Sequence, residues 1–145
     1  MTSLETRAAT INWTSIPEDS SNPLWRVDRG LYAYLDPKSL EILYIGKVDG
    51  TTIRQRWVRS GKSGFWDDLE KERGIHRHVV MAGIVALDRG RRLSRELLAD
   101  IESLLICRLQ PWGNIQSRRQ RIARPGLLVK CVGEWPLKRA SFYDF

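Results

Sequence analysis

The sequence predicts one domain of the α/β class, with strands and helices sharing a single core. Three observations predict it. Residues 30–45, "GLYAYLDPKSLEILYI", alternate apolar and tyrosine positions about a turn. Residues 78–87, "HVVMAGIVAL", are an apolar run with β-branched residues. From 94 to 111, "SRELLADIESLLICRLQP" spaces its leucines and isoleucines as a helix does. At 145 residues the chain is the size of one domain, and no repeat or low-complexity linker divides it. Residues 1–26, with the acidic, turn-prone "PEDSSNP", read as a loosely packed lead-in, and 27–145 as the domain.

In the opening hairpin, Leu31, Ala33 and Leu35 would point to one face and Tyr32 and Tyr34 to the other. Leu43 and Ile45 would likewise alternate with Ile42 and Tyr44. A loop at 36–40 paired symmetrically sets residue 35 against 41 and Tyr32 directly against Tyr44. A slip of one residue would part the two tyrosines, so the placement rests on register. After the Asp49-Gly50 turn, Thr52 and Gln55 form a capping box that opens a helix from Ile53 to near Ser60, with Gly61 available to close it. Ile53 and Trp57 share its buried face. A second helix is predicted over 64–73, and 78–87 has the character of a buried strand. Ser94 caps the longest helix and Pro111 stands just beyond its end. Glu102 lies at the margin of its apolar stripe. "GLLVKCVGEW" is expected to be a final strand added at an edge.

Composition narrows the function. Hydrophobic residues make up 42% and charged residues 28%, as in soluble globular domains, and no run spans a bilayer. The N-terminal residues lack the build of a signal peptide, which predicts a cytoplasmic protein with no membrane partner. Cys107 and Cys131 belong to no Cys/His cluster, so neither zinc nor a disulfide framework is indicated. Lys and Arg outnumber Asp and Glu by 24 to 17, a net charge of +7. The cations cluster at Arg54, Arg56, Arg59 and Lys62, at Arg89, Arg91, Arg92 and Arg95, and at Arg118, Arg119, Arg121 and Arg124. The guanidinium fork matches phosphate oxygens, and a basic surface attracts nucleic acid.

"GLY", eleven residues, and then "YIGK" resembles the signature pair of the GIY-YIG nuclease superfamily, with Leu31 in place of isoleucine. The order continues: "TTIRQRW" supplies Arg56 on the following helix, with Arg54 as the alternative, and "IESLLICRLQPWGN" supplies Glu102, Pro111 and Asn114. The resemblance covers about residues 30–115. It implies a small, mainly antiparallel central sheet flanked by helices, here with an added C-terminal strand. It also implies endonuclease activity, the hydrolysis of DNA phosphodiesters (RNA left open), with one Mg²⁺ or Mn²⁺ ion. Many members carry His or Tyr one turn after the arginine, where this chain has Ser60; His76, His78 and Lys62 are the candidate replacements.

The chemistry assigns each residue a role. A hard cation takes oxygen ligands and as few as one or two carboxylates, so Glu102 alone would serve as metal ligand. Arg56 would neutralise charge on the phosphate. Tyr32 would be the general base, helped by Lys47 or Arg56, because a phenol of ordinary pKa is a poor base at neutral pH. Tyr44 would orient water or phosphate, and Asn114 would pin the loop after the helix. Arg54, Arg59 and Lys62, then Arg118, Arg119 and Arg121 in "QSRRQRIAR", would track the backbone, and Trp112 would stack on a base. Taken singly, Tyr32 and Tyr44 are an aromatic cross-strand pair, Arg56 a solvated helix residue and Asn114 a turn residue. Two alternatives stand beside the nuclease: a non-catalytic nucleic-acid-binding module on the same fold, and a nuclease active only within a larger repair or restriction complex.

Overall fold

The computed structural model describes residues 7–88, 91–115 and 125–144. Six strands form one sheet: β1 (Arg7–Ser15), β2 (Arg29–Leu35), β3 (Ile42–Asp49), β4 (Val79–Leu87), β5 (Leu127–Gly133) and β6 (Ser141–Asp144), in the spatial order β3-β2-β4-β1-β5-β6. The helices are α1 (Ile53–Lys62), α2 (Phe65–Arg73), α3 (Arg95–Leu109) and the short α4 (Trp112–Ile115), so the class is α+β. No helix among the described residues is long and apolar enough to cross a membrane.

Four expectations change. The segment expected as a loose lead-in contains β1, a strand inside the sheet, hydrogen-bonded to β4 on one side and β5 on the other. Its alternation of Ala9, Ile11 and Trp13 places all three in the core, and the turn-prone residues come only after it. The sheet is mixed, because β1 and β5 run parallel while the other neighbouring pairs are antiparallel. The strand expected at the C-terminal edge, β5, is internal, and β6 takes the edge.

The hairpin register also differs from the expectation. The pairs are Tyr34 with Tyr44 and Tyr32 with Gly46; Leu35 then faces Ile42, which leaves Leu43 as an extra residue. The loop explains the offset. The Asp36 carboxylate accepts from the Lys38 amide and the Ser39 hydroxyl, Leu40 takes a left-handed φ of 63°, and the Asp36 amide bonds the Glu41 carbonyl. The loop therefore closes on Asp36 and Glu41 rather than symmetrically about residue 38. A shift of two positions preserves side-chain parity, so Tyr32, Tyr34 and Tyr44 still share a face. The bulge sends Leu43 to that face, parting it from Ile45.

The two faces carry separate cores. On one, Leu98, Ile101 and Leu105 of α3 pack on Leu31, Ala33, Ile45, Ile11 and Trp13. Burying each such aliphatic side chain stabilises by about 1.5–3 kcal/mol. Ser94 caps α3 by accepting from the Leu97 amide, and Gln110 ends it in a left-handed conformation. On the other face, α1, α2 and the single turn Pro23–Arg26 cover the tyrosines. The capping box of α1 is formed in both directions between Thr52 and Gln55. The helix runs past Gly61 to Lys62, and Gly64 makes the left-handed turn into α2.

Candidate active site on the tyrosine face of the sheet

Tyr32, Tyr34 and Tyr44 form a closed aromatic triangle, with ring centroids 5.5 Å, 5.5 Å and 5.9 Å apart. The motif glycines make room for it. A Cβ on Gly46 would overlap the Tyr32 ring, which lies across this position from the neighbouring strand. A Cβ on Gly30 would stand 2.7 Å from the Gly83 carbonyl oxygen, so the first glycine lets β2 approach β4. Phe65 and Trp66 of α2 close the wall, 5.7 Å and 4.7 Å from Tyr34.

The helix after the second motif brings its polar groups to these rings. Ser60 hydrogen-bonds the Tyr34 hydroxyl at 2.8 Å and donates to the Arg56 carbonyl at 3.1 Å. Arg56 is half-buried, and its Nε donates to the Thr51 hydroxyl at 3.2 Å. Burial pushes the Tyr32 phenol well above its ordinary range, helped by the neighbouring Tyr44 and Tyr34 phenols, while the Arg56 charge pulls it back down. Tyr34 shifts upward for the same leading reason, with Ser60 and Arg56 opposing. Free of ligand, both phenols are protonated at neutral pH.

The sheet sorts the predicted residues. Tyr32, Tyr44 and Arg56 come together on one face. Lys47 pairs with Leu31, so the register points it to the α3 face, and Arg56 is the cation whose charge reaches Tyr32. Glu102 is half-buried on α3, the helix that packs on that opposite face. β3, an edge strand, carries Tyr44 on the tyrosine face and is contacted by α3. Beyond α3, Asn114 accepts from the Ile45 amide at 2.9 Å and donates to the Ile45 carbonyl at 2.8 Å. It thus mimics a neighbouring strand and pins the chain after α3 to the second motif. Trp112 packs edge-on against Phe65 at 5.7 Å, an aromatic wall contact.

Arg54, Arg59 and Lys62 line one groove along the exposed side of α1. Arg118, Arg119 and Arg121 lie outside the described residues. Of the replacements considered for the position of Ser60, His76 is exposed beside Glu70, and His78 is stacked on Trp66 at 3.7 Å. Among the described residues no three His, Cys, Asp or Glu side chains gather as a metal cage. A single carboxylate such as Glu102 is the donor set of an ion that keeps most of its water, not of a closed cage.

Sequence reasoning passed over Tyr34 and Ser60 as partners. Strand alternation carried the signal for the first, since Tyr34 is two residues from Tyr32. Comparison with protein-family models, with curated proteins and with solved structures gives no match.

Proposed function

We propose that the protein is a metal-dependent endonuclease of the GIY-YIG type that hydrolyses DNA phosphodiester bonds at the β3 edge. The observation that carries this reading is the tyrosine triangle seated over Gly46 with the Arg56 charge acting on its phenols. An aromatic core has no need of three clustered phenols or of a half-buried guanidinium whose charge reaches them.

Water attacks phosphorus, the bond to one ester oxygen breaks, and the water proton passes to Tyr32 as phenolate. Arg56 donates to the non-bridging oxygens as charge builds on them. Its field also favours the phenolate over the phenol, the direction a base at this position requires. Tyr44, beside Tyr32, orients water or phosphate. Asn114 acts on position alone, by fixing Ile45 of the edge strand β3. Glu102 would hold one Mg²⁺ or Mn²⁺ ion, which when bound supplies Lewis-acid activation of the phosphate and stabilises the leaving oxygen.

The upward shift of Tyr32 favours a second reading, a nucleic-acid-binding module on which no cleavage occurs. Incubation with single-stranded, duplex and branched DNA, in Mg²⁺ and then in EDTA, separates the two. Metal-dependent nicking that is lost in Glu102→Ala is the expected result; binding to every substrate with no nicking would establish the module instead.

A further inference from the structure

A second cavity opens on the same face of the sheet, about 390 Å³ in volume, within the usual range for small-molecule sites. Trp25 and Trp57 form its walls, with ring centroids 5.3 Å apart, and His78 and Val80 line it further. Both indole N–H groups are already engaged inside the protein. Trp25 donates to the Pro17 carbonyl at 3.1 Å, and Trp57 donates to His78 Nε2 at 3.1 Å. What the two indoles can offer a ligand is therefore ring carbon rather than donors, which suits a flat aromatic ligand. They are also rigid: Trp25 is buried, and the His78 ring is clamped on Trp66.

Two opposite charges line the same cavity, Glu18 and Arg54. Glu18 lines the cavity together with His78, and its carboxylate is close enough to favour the charged form of that ring. Arg54 lines the α1 groove as well, together with Arg59 and Lys62, so one cation joins the aromatic cavity to the basic track.

We propose that this cavity takes one unstacked nucleobase, guanine in preference to the others, of a strand whose phosphates lie along α1. The stack falls on Trp57, the more exposed of two indoles tilted 49° to one another, Arg54 meets the phosphate of that nucleotide, and Glu18 accepts from the base edge. Guanine presents two adjacent N–H donors, at N1 and N2, to a carboxylate that can only accept. Adenine and cytosine present one donor beside an acceptor, and thymine one donor between two acceptors. The proposal deepens the nuclease reading and rests on it for its role, since the pocket would select the nucleotide next to the cut; binding itself needs neither metal nor chemistry.

The test is tryptophan fluorescence of the full chain in EDTA, titrated with each of the four deoxynucleoside 5′-monophosphates. Saturable quenching is expected with all four, tightest for dGMP by about tenfold, the size of a charged hydrogen bond gained or lost. Glu18→Gln should erase that preference, and Arg54→Ala should weaken all four nucleotides alike; both side chains are exposed, so neither change threatens folding. Absence of saturable quenching at millimolar concentrations would overturn the proposal. So would equal affinity for the four bases, or a preference for dGMP that survives Glu18→Gln. Nicking is measured separately, so an active nuclease with no quenching rejects the pocket alone, and quenching without nicking rejects the nuclease reading alone.

Discussion

The two faces of the sheet are built from the same strands and differ in what they bury. Toward α3, residues such as Leu31, Ala33, Ile45 and Leu98 fill the space with aliphatic groups. Toward α1 and α2, the same strands present Tyr32, Tyr34 and Tyr44 to Phe65, Trp66 and Trp57, with Arg56 and Ser60 reaching in from α1. One face is closed by apolar volume. The other keeps hydroxyls under aromatic cover beside a cation, and burial raises the cost of ionising the Tyr32 and Tyr34 phenols. On the proposed reading the first face is support except for Glu102 on α3, and the second carries the phenols and Arg56.

Substitutions on each face should therefore fail in different ways. Arg56→Ala is expected to lower nicking by about 10²–10³-fold, the scale of losing one pre-organised charge at the phosphate. Among the described residues its side chain donates to the Thr51 hydroxyl alone, so the melting temperature should move little. Leu98→Ala should do the reverse, costing about 2–5 kcal/mol in chemical denaturation while the folded fraction nicks normally. An Arg56→Ala protein that melts early yet nicks at the normal rate would erase the contrast. At the edge between the faces, Asn114→Ala removes two hydrogen bonds and leaves the Ile45 amide and carbonyl without that partner. A loss of about 1–3 kcal/mol is expected in denaturant melts, together with a fall in nicking, because this residue belongs to both sides.

The smallest effect concerns pH. Burial holds the His78 pKa below its ordinary value, so in mild acid the unfolded chain binds a proton that the folded chain refuses. Stability should fall as pH drops from about 7 to 5, and His78→Gln should flatten that slope, read as melting temperature against pH. A slope unchanged by the substitution would mean that carboxylates alone drive the acid sensitivity.

Much of this was legible in the chain. The capping box at Thr52 and Gln55, the cap at Ser94 and the helical stripe of α3 are local signals, and each formed where expected. The shared face of the tyrosines was also legible, because it follows from parity. What was not legible depends on distant contacts or on turn chemistry. The exact partner of Tyr32 turned on how Asp36 closes the loop and on the bulge at Leu43. The parallel pairing of β1 with β5 joins segments more than a hundred residues apart, and no local pattern announces it. Among the site residues, order along the chain named Arg56 and Asn114, yet only the register revealed that Lys47 faces away from the tyrosines.

The claim at the centre is that Tyr32 is a base and not a packing residue, and the nicking rate of Tyr32→Phe as a function of pH tests it most directly. Because the phenol is held above its ordinary pKa, the wild-type rate should climb about tenfold per pH unit from 7 toward 9. Tyr32→Phe should lose both the activity and the climb while melting close to wild type. A Tyr32→Phe protein that nicks at the wild-type rate with the same pH dependence would contradict the account.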